Sequence, residues 1–475
     1  VAAPDEWDAI RAASALKITW TGGGLPSFQE QYSVVRNTPS SPKVVVQQGD
    51  PDAGFAKAAR TLRATYQWPY QTHGSIGPSC AVADVHADRA TIWSPTQGVY
   101  PLRDALAELL DLDKVSVRVV YAEGAGCYGH NGADDVCGDA ALVSKALRRP
   151  VRVQWMRQDE HGWDPKGPAM VIDARAGLDA GGNLIAWQYD AFTPTHSTRP
   201  DGKAGNLLAG QLIGKTADDP FVGGDRNARS NYAFTDQRVT AHVQKRWILR
   251  PSALRSLGAA QNTFANESFV DEAAHAAGAD PIAFRLRYLD DSRARDVLEA
   301  VAKLAKWEPG KTLRSTAGDV HRGRGVALTR YEGVNAAVAV IADCEVNKKT
   351  GVVRVRDVYV AHDCGLIVNP DGLRNQIEGN VIQASSRTLK EEIRYDRRRV
   401  TSVDWATYPI IRFTEVPNVH ITLIDRPELP SLGAGEPTTA VIAPAIANAV
   451  FAAVGARCRT VPFTVERVRT ALRTT

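Results

Sequence analysis

Apolar and polar positions change period several times along the 475 residues, and each change marks an element. Trp7 to Ala15 repeats at helical spacing and runs into Leu16 to Trp20, which reads as a strand. A chain that starts on such a pattern starts in mid-domain, so residues 1–30 are expected to be the remnant of an upstream domain. Residues 21–50, rich in Gly, Pro, Ser and Gln, predict a surface connection; 53–64 predict a helix; 65–93 alternate as strands, most clearly at Ala81–Val85 and Ala90–Trp93. An amphipathic helix over Leu102 to Leu110 precedes a strand, Val115 to Val120, which enters a glycine-rich turn at 123–130. A helix from Ala133 to Ala146 and a strand from Val151 to Trp155 follow, and the polar stretch 196–230 reads as a long surface loop.

Asn262 to Ala277 is a helix stopped by Gly278, and Asp280-Pro281 starts another that runs to Leu289. Residues 307–325 are a polar bridge, which puts a domain boundary near 305. Strands are expected over Ala336–Ala342, Val352–Ala361 and His420–Ile424, then a helix over Ala443–Val454 with Pro444 in its first turn. Strands and helices alternate without a βαβ rhythm. The fold class is therefore α+β, with a first domain over 31–305 and a second over 306–475.

Hydrophobic residues at 44% and charged residues at 23% exclude disordered and fibrous classes. A net charge of +4 is small for this length, and no Lys/Arg block is interleaved with aromatics, so nucleic acid is not an expected partner. The run Arg397-Arg398-Arg399 reads as a solvated turn. Cys80, Cys127, Cys137, Cys344, Cys364 and Cys458 form no CxxC pair, so the sequence signals neither an iron–sulfur cluster nor a structural zinc, and most are expected to be buried thiols. No run of about 18 apolar residues stands out as a membrane span.

Several segments carry polar chemistry. In Leu432-Gly433-Ala434-Gly435-Glu436-Pro437, flanking glycines let the backbone approach another group closely. A carboxylate held there among apolar residues would be desolvated, the condition that suits it to act as a general base; the plainer alternative is a capping carboxylate. Gly124-Ala125-Gly126-Cys127-Tyr128-Gly129 lies between a strand and a helix, where backbone N–H groups cradle anions. A nucleotide site competes for that loop, but no acidic residue closes a second strand about 20 residues on. Asp134, Asp135 and Asp139 would moreover repel a pyrophosphate unless they face away. Gln97, in Ser94-Pro95-Thr96-Gln97-Gly98, offers an amide after a strand end, and Arg250 and Arg255 precede the helix at 262. His362, Asp363 and Cys364 look like metal ligands, yet neighbours on a strand point to opposite faces, so a strand end is preferred, with Gln376 free to meet a ligand.

Taken in order, these segments resemble the molybdopterin-binding large subunit of the xanthine dehydrogenase/aldehyde oxidase family, of the isoquinoline 1-oxidoreductase and nicotinate dehydrogenase type. The specific pieces are Gly435-Glu436 with Ala443-Pro444-Ala445-Ile446-Ala447-Asn448-Ala449, and Asp363-Cys364-Gly365 through Asn369-Pro370 to Gln376-Glu378-Gly379. Gln261-Asn262, Glu267-Ser268, Asp271-Glu272, Asp280-Pro281 and Arg285 add a third. The resemblance implies two molybdopterin-binding domains. It also implies oxidation of an N-heteroaromatic ring carbon or an aldehyde, with water as the oxygen source. Glu436 matches the family's catalytic base; Gln97 matches a glutamine on a molybdenum oxo ligand; Gly126, Cys127 and Tyr128 match a loop whose amides approach the metal's oxygen ligand. Arg255 and Ser256 match a second backbone contact, and Gln376 and Gly435 belong to the cofactor's surroundings. No side chain is implied as a direct metal ligand.

Cys127-Tyr128 stands where many members carry Phe, and the pterin-wrapping Gly-Gln-Gly segment is absent. The resemblance thus implies a molybdenum–molybdopterin cofactor, with the cytosine dinucleotide as one form, and a further polypeptide that supplies the missing segment. A small iron–sulfur subunit would take the electrons and a cytochrome c could follow it, which favours the periplasm or inner membrane. Two other readings stay open: a non-catalytic subunit that completes a partner's cofactor site, and a nucleotide-dependent oxidoreductase that uses the 124–129 loop.

Overall fold

The computed structural model describes residues 1–19, 21, 24–198, 200–218, 220–310 and 318–474. Its strands are β1 (Ser40–Gln48), β2 (Arg60–Trp68), β3 (Cys80–Val85), β4 (Ala90–Ser94), β5 (Val117–Tyr121), β6 (Val151–Gln154) and β7 (Met170–Leu178). Beyond them come β8 (Leu184–Pro194), β9 (Gln237–Gln244), β10 (Val320–Arg330), β11 (Ala337–Asn347), β12 (Val353–Asp363) and β13 (Asn418–Ile424). They pair into sheets of order β1-β9-β8-β7-β2, β5-β4-β3-β6 and β10-β11-β12-β13. Both parallel and antiparallel pairs occur in all three, and helices cover them, as expected of the α+β class.

The sheet that bears most on the site is the last. Ala-Val-Ala-Val-Ile-Ala opens β11 as a run without alternation, because both faces are covered: helix Ser292–Leu304 lies on one and α4 (Pro437–Val454) on the other. α4 packs also on α2 (Gly258–Ala276) and on α3 (Pro370–Leu389), while α1 (Ala133–Leu147) covers the β5-β4-β3-β6 sheet. Close approach of β10 to α4 depends on Gly323 and Gly325, where a Cβ would lie 2.1 Å from Ala449 O and 2.2 Å from Ala445 O. The Asn448 amide, buried inside α4, donates to Val326 O at 3.0 Å and ties helix to strand. The largest apolar core draws residues from Tyr66 to Val468, so it takes in side chains from both sides of residue 305.

Seven local expectations change. Leu16 to Thr19 forms no strand among the described residues, and Trp20 lies outside them; Leu16 and Ile18 are exposed and meet no strand to pair with. The 21–50 connection instead holds helix Gln31–Asn37 and β1, an edge strand that tolerates Pro42 because one side of it makes no ladder. The helix expected over 53–64 ends at Lys57, and β2 starts at Arg60, paired along its length with β7. The 196–230 stretch is a surface loop only in part: 211–216 is exposed, whereas His196, Ser197, Asn206 and Ala228 are buried. The polar bridge 307–325 ends in β10; its residues 311–317 lie outside the described set. Finally, α4 starts at Pro437, so the proline in its first turn is Pro437 and Pro444 is internal. That helix is apolar enough by length and composition to cross a membrane, contrary to the sequence expectation, but 83% of it is buried in the fold, as suits a core helix.

Candidate active site

Glu436 occupies the N-cap of α4, after the glycines at 433 and 435 and before Pro437. Its side chain is 34% exposed and is held by donors from two distant segments. The Ser256 N–H donates to Oε1 at 3.1 Å, the Tyr331 hydroxyl donates to Oε2 at 2.6 Å, and Arg226 Nη1 lies 3.6 Å from Oε2. The Ser256 hydroxyl donates in turn to the Glu436 carbonyl at 2.7 Å. The carboxylate is thus half-buried and ringed by hydrogen-bond donors and a positive charge, not by the apolar wall that the sequence suggested.

Ser256 can present its N–H because the chain turns sharply there. Ser256 has φ 81° and Leu257 φ 48°, both in the left-handed region, and α2 begins at the next residue. Such a turn at two non-glycine residues costs on the order of 1–3 kcal/mol each and persists only where surrounding contacts fix it. Those contacts are on either side. The Arg255 N–H donates to Tyr128 O at 2.7 Å, its Nε to Gly435 O at 2.6 Å and its Nη2 to Gln376 Oε1 at 2.7 Å. Burial, aided by the neighbouring Arg387 charge, lowers the Arg255 pKa to about 10. Asn380 adds a second donor to Gly435 O at 3.1 Å.

The glycine-rich turn completes the arrangement. Gly129 has φ 126°, and a Cβ on it would sit 1.9 Å from Ala253 O, so only glycine lets this loop lie against residues 253–255. The Ser75 hydroxyl holds Gly126 O at 2.7 Å, and the Gln97 amide donates to Cys127 Sγ at 3.0 Å and to Gly129 O. Gln97, Gly126, Cys127, Tyr128, Arg255, Ser256, Gln376, Gly435 and Glu436 therefore form one continuous set of contacts, drawn from separate stretches of sequence. Asp134 and Asp135 are engaged outside residues 124–129: Asp134 accepts from Thr96 and pairs with His130, and Asp135 binds Arg250.

Sequence reasoning missed Tyr331, Arg226 and Asn380. Tyr331 follows β10 in a turn with no recognisable pattern, and Arg226 lies in the stretch read as surface loop. Among the described residues, no group of three His, Cys, Asp or Glu side chains is placed to hold a metal. His362 is buried, whereas Asp363 is bound by Arg293 Nε at 2.9 Å and Arg426 Nε at 2.6 Å, so that segment is indeed a strand end braced by arginines.

Two family models, each described as a molybdopterin cofactor-binding domain, match residues 36–207 and 265–417. The chain belongs to this family. A nicotinate dehydrogenase subunit from Pseudomonas putida is 43% identical over 99% of this chain and 40% of that protein. An isoquinoline 1-oxidoreductase subunit from Brevundimonas diminuta is 28% identical over 87% of this chain and 50% of that protein. Both agree with the molybdenum-binding large-subunit type of the xanthine dehydrogenase family. Quinoline 2-oxidoreductase from Pseudomonas putida 86 superposes with a TM-score of 0.80 over 99% of this chain and 84% of that one, at 15% identity. Aldehyde oxidoreductase from Desulfovibrio gigas gives 0.79 over 99% and 68%, at 16% identity. At those identities the likeness establishes the fold. This molybdopterin-binding chain spans about half the length of its curated relatives.

The residues present fit a large, polar, anionic cofactor. Among the described residues, no backbone acceptor engages the amides of Gly126, Cys127 and Tyr128, which leaves a row of donors open. Deeper in, the buried Arg387 Nε and Nη2 and Gln261 Oε1 have no hydrogen-bond partner and line a small cavity of about 10 Å³ beside Arg255 and Thr439.

Proposed function

We propose that this chain is the catalytic, molybdopterin-binding part of a molybdenum hydroxylase that oxidises an electron-poor ring carbon of an N-heteroaromatic compound, or an aldehyde, with water as the oxygen donor. The observation that carries this reading is the Glu436 carboxylate, fixed at a helix start beside the 126–128 loop by Ser256 and Tyr331. The bound cofactor would supply Lewis-acid activation of the oxygen donor and accept two electrons. The protein's own residues do the rest. The amides of Gly126, Cys127 and Tyr128, with Gln97, would hold the cofactor's oxygen ligands, and Arg255 and Gln376 would face its pterin. Glu436, held by two donors, would take up the proton that the oxygen donor gives up.

The relatives from Pseudomonas putida and Brevundimonas diminuta are named for nicotinate and isoquinoline oxidation, which favours an N-heteroaromatic substrate over an aldehyde. Each is named as one subunit of its enzyme, which supports partner chains. We take these to include an iron–sulfur subunit and a polypeptide carrying the pterin-wrapping segment, with the cytosine dinucleotide as the cofactor form. A relative from Gluconacetobacter polyoxogenes, 28% identical, is named as membrane-bound, which supports work at a membrane; we take this to be the inner membrane or the periplasm beside it. Glu436→Gln is the test. It is expected to abolish turnover in the assembled enzyme with molybdenum content unchanged; turnover within a few-fold of wild type would remove Glu436 from the reaction.

A further inference from the structure

Tyr331 and Arg226 do more than fill space beside Glu436. The Tyr331 hydroxyl accepts from Arg226 Nη1 at 2.8 Å while it donates to Glu436 Oε2 at 2.6 Å, so one oxygen links guanidinium to carboxylate. Arg226 also lies over the Tyr331 ring, 5.5 Å from its centroid, and its Nη2 pairs with Glu332 at 2.7 Å. Tyr331 is 5% exposed, so its hydroxyl is committed to these two partners. The pair is itself fixed. Asn227 donates to Thr329 Oγ1 and Arg330 O and accepts from the Glu332 N–H, which binds the 223–231 segment to the turn between β10 and β11. Glu332 at φ 54° and Gly333 at φ 78° shape that turn so that Tyr331 points inward.

We propose that Tyr331, backed by Arg226, is the positioning residue that fixes the Glu436 carboxylate in one orientation, so that this relay decides how well the base is aimed. The proposal rests on the reading of Glu436 as the base. The groups facing Glu436 are the Ser256 N–H from just before α2, Tyr331 from the β10–β11 turn, and Arg226 from the 223–231 segment, with Glu332 behind Arg226. Arg255 acts from the far side of Gly435. All but Glu332 present a hydrogen-bond donor or a positive charge on the side of Glu436. Burial and the adjacent Glu436 charge both raise the Tyr331 pKa, so the hydroxyl stays protonated and remains a donor throughout the working range. For Arg226, burial alone would lower the pKa, but Tyr331, Glu332 and Glu436 outweigh it and raise it.

Tyr331→Phe removes the central oxygen and keeps the ring. In the assembled enzyme kcat is expected to fall about tenfold with KM unchanged, the equivalent of one charge-assisted hydrogen bond. A second readout is independent of turnover: the carboxylate infrared band, isolated as the difference made by Glu436→Gln, should shift and broaden when that difference is taken in Tyr331→Phe. Arg226→Lys should retain most of the wild-type turnover and Arg226→Gln should lose it, and this pair serves if Tyr331→Phe folds poorly. A kcat and a band that both match wild type in Tyr331→Phe, or in Arg226→Gln, would overturn the proposal. If Glu436→Gln itself keeps turning over, the functional reading fails first; if it is inactive while Tyr331→Phe and Arg226→Gln match wild type, only the positioning role fails.

Discussion

Gly325→Ala tests whether the seating of α4 on β10 sets the position of Glu436. A Cβ at residue 325 would lie 2.2 Å from both Ala445 O and Ala449 N and 2.7 Å from the Asn448 carbonyl carbon. All three are helix backbone, so no rotamer change relieves the clash, and strand and helix must separate by about 1 Å to restore ordinary contact. Overpacking of this kind costs about 1–3 kcal/mol, and the absence of any flexible neighbour puts this case at about 3. The displaced helix carries Glu436 at its N-cap, and a reacting group misplaced by about 1 Å loses on the order of a hundredfold in rate. Urea unfolding and steady-state kinetics on the assembled enzyme read both consequences. Gly162→Ala is the control: residue 162 lies within helix Arg157–Trp163 with nothing within 4 Å of its Cβ, so stability should hold or rise by up to about 1 kcal/mol. Wild-type stability and turnover in Gly325→Ala would refute the reasoning.

Two further substitutions probe the frame around the site. Arg285 and Glu267 form an ion pair at 2.9 Å with both side chains essentially inaccessible, and Glu267 also accepts from Tyr232 and the Leu328 N–H of β10; Arg285→Met should cost about 3–5 kcal/mol in urea unfolding, because it strands a buried carboxylate. The Asp139 pKa is raised to about 6, chiefly by burial and against a hydrogen bond from Trp155 Nε1 at 3.1 Å. The folded protein therefore holds this proton more tightly than the unfolded chain, and stability from this group declines as pH rises from about 4 through 6. Asp139→Asn should flatten that part of the stability–pH curve and raise stability at pH 7.5 by at most about 3 kcal/mol, and an unchanged slope would exclude the effect.

Local patterns in the sequence determined what local chemistry can determine. The glycine turn at 124–129, the helix stop at Gly278 and the strand end at His362–Cys364 were all legible, because each depends on the backbone freedom or side-chain chemistry of residues adjacent in the chain; the helix after Glu436 was legible too, but not its start at Pro437. So were most of the helices and strands around them, and the ordered motifs that mark the family. Pairing decided the rest. β1 is a strand because Val44 meets Thr240 of β9, and β2 begins at Arg60 because Leu178 waits opposite; nothing within either segment encodes that partner. Burial of the two ends of the polar 196–230 stretch, around His196–Thr198 and at Ala228 and Ser230, follows in the same way from the elements that close over them. The environment of Glu436 is the clearest case. Its donors come from residues 256 and 331, 180 and 105 positions away, and the charge behind them from residue 226. Sequence named the carboxylate, but only the tertiary fold could surround it with donors instead of hydrocarbon, because electrostatics depends on distance in space and is indifferent to distance along the chain.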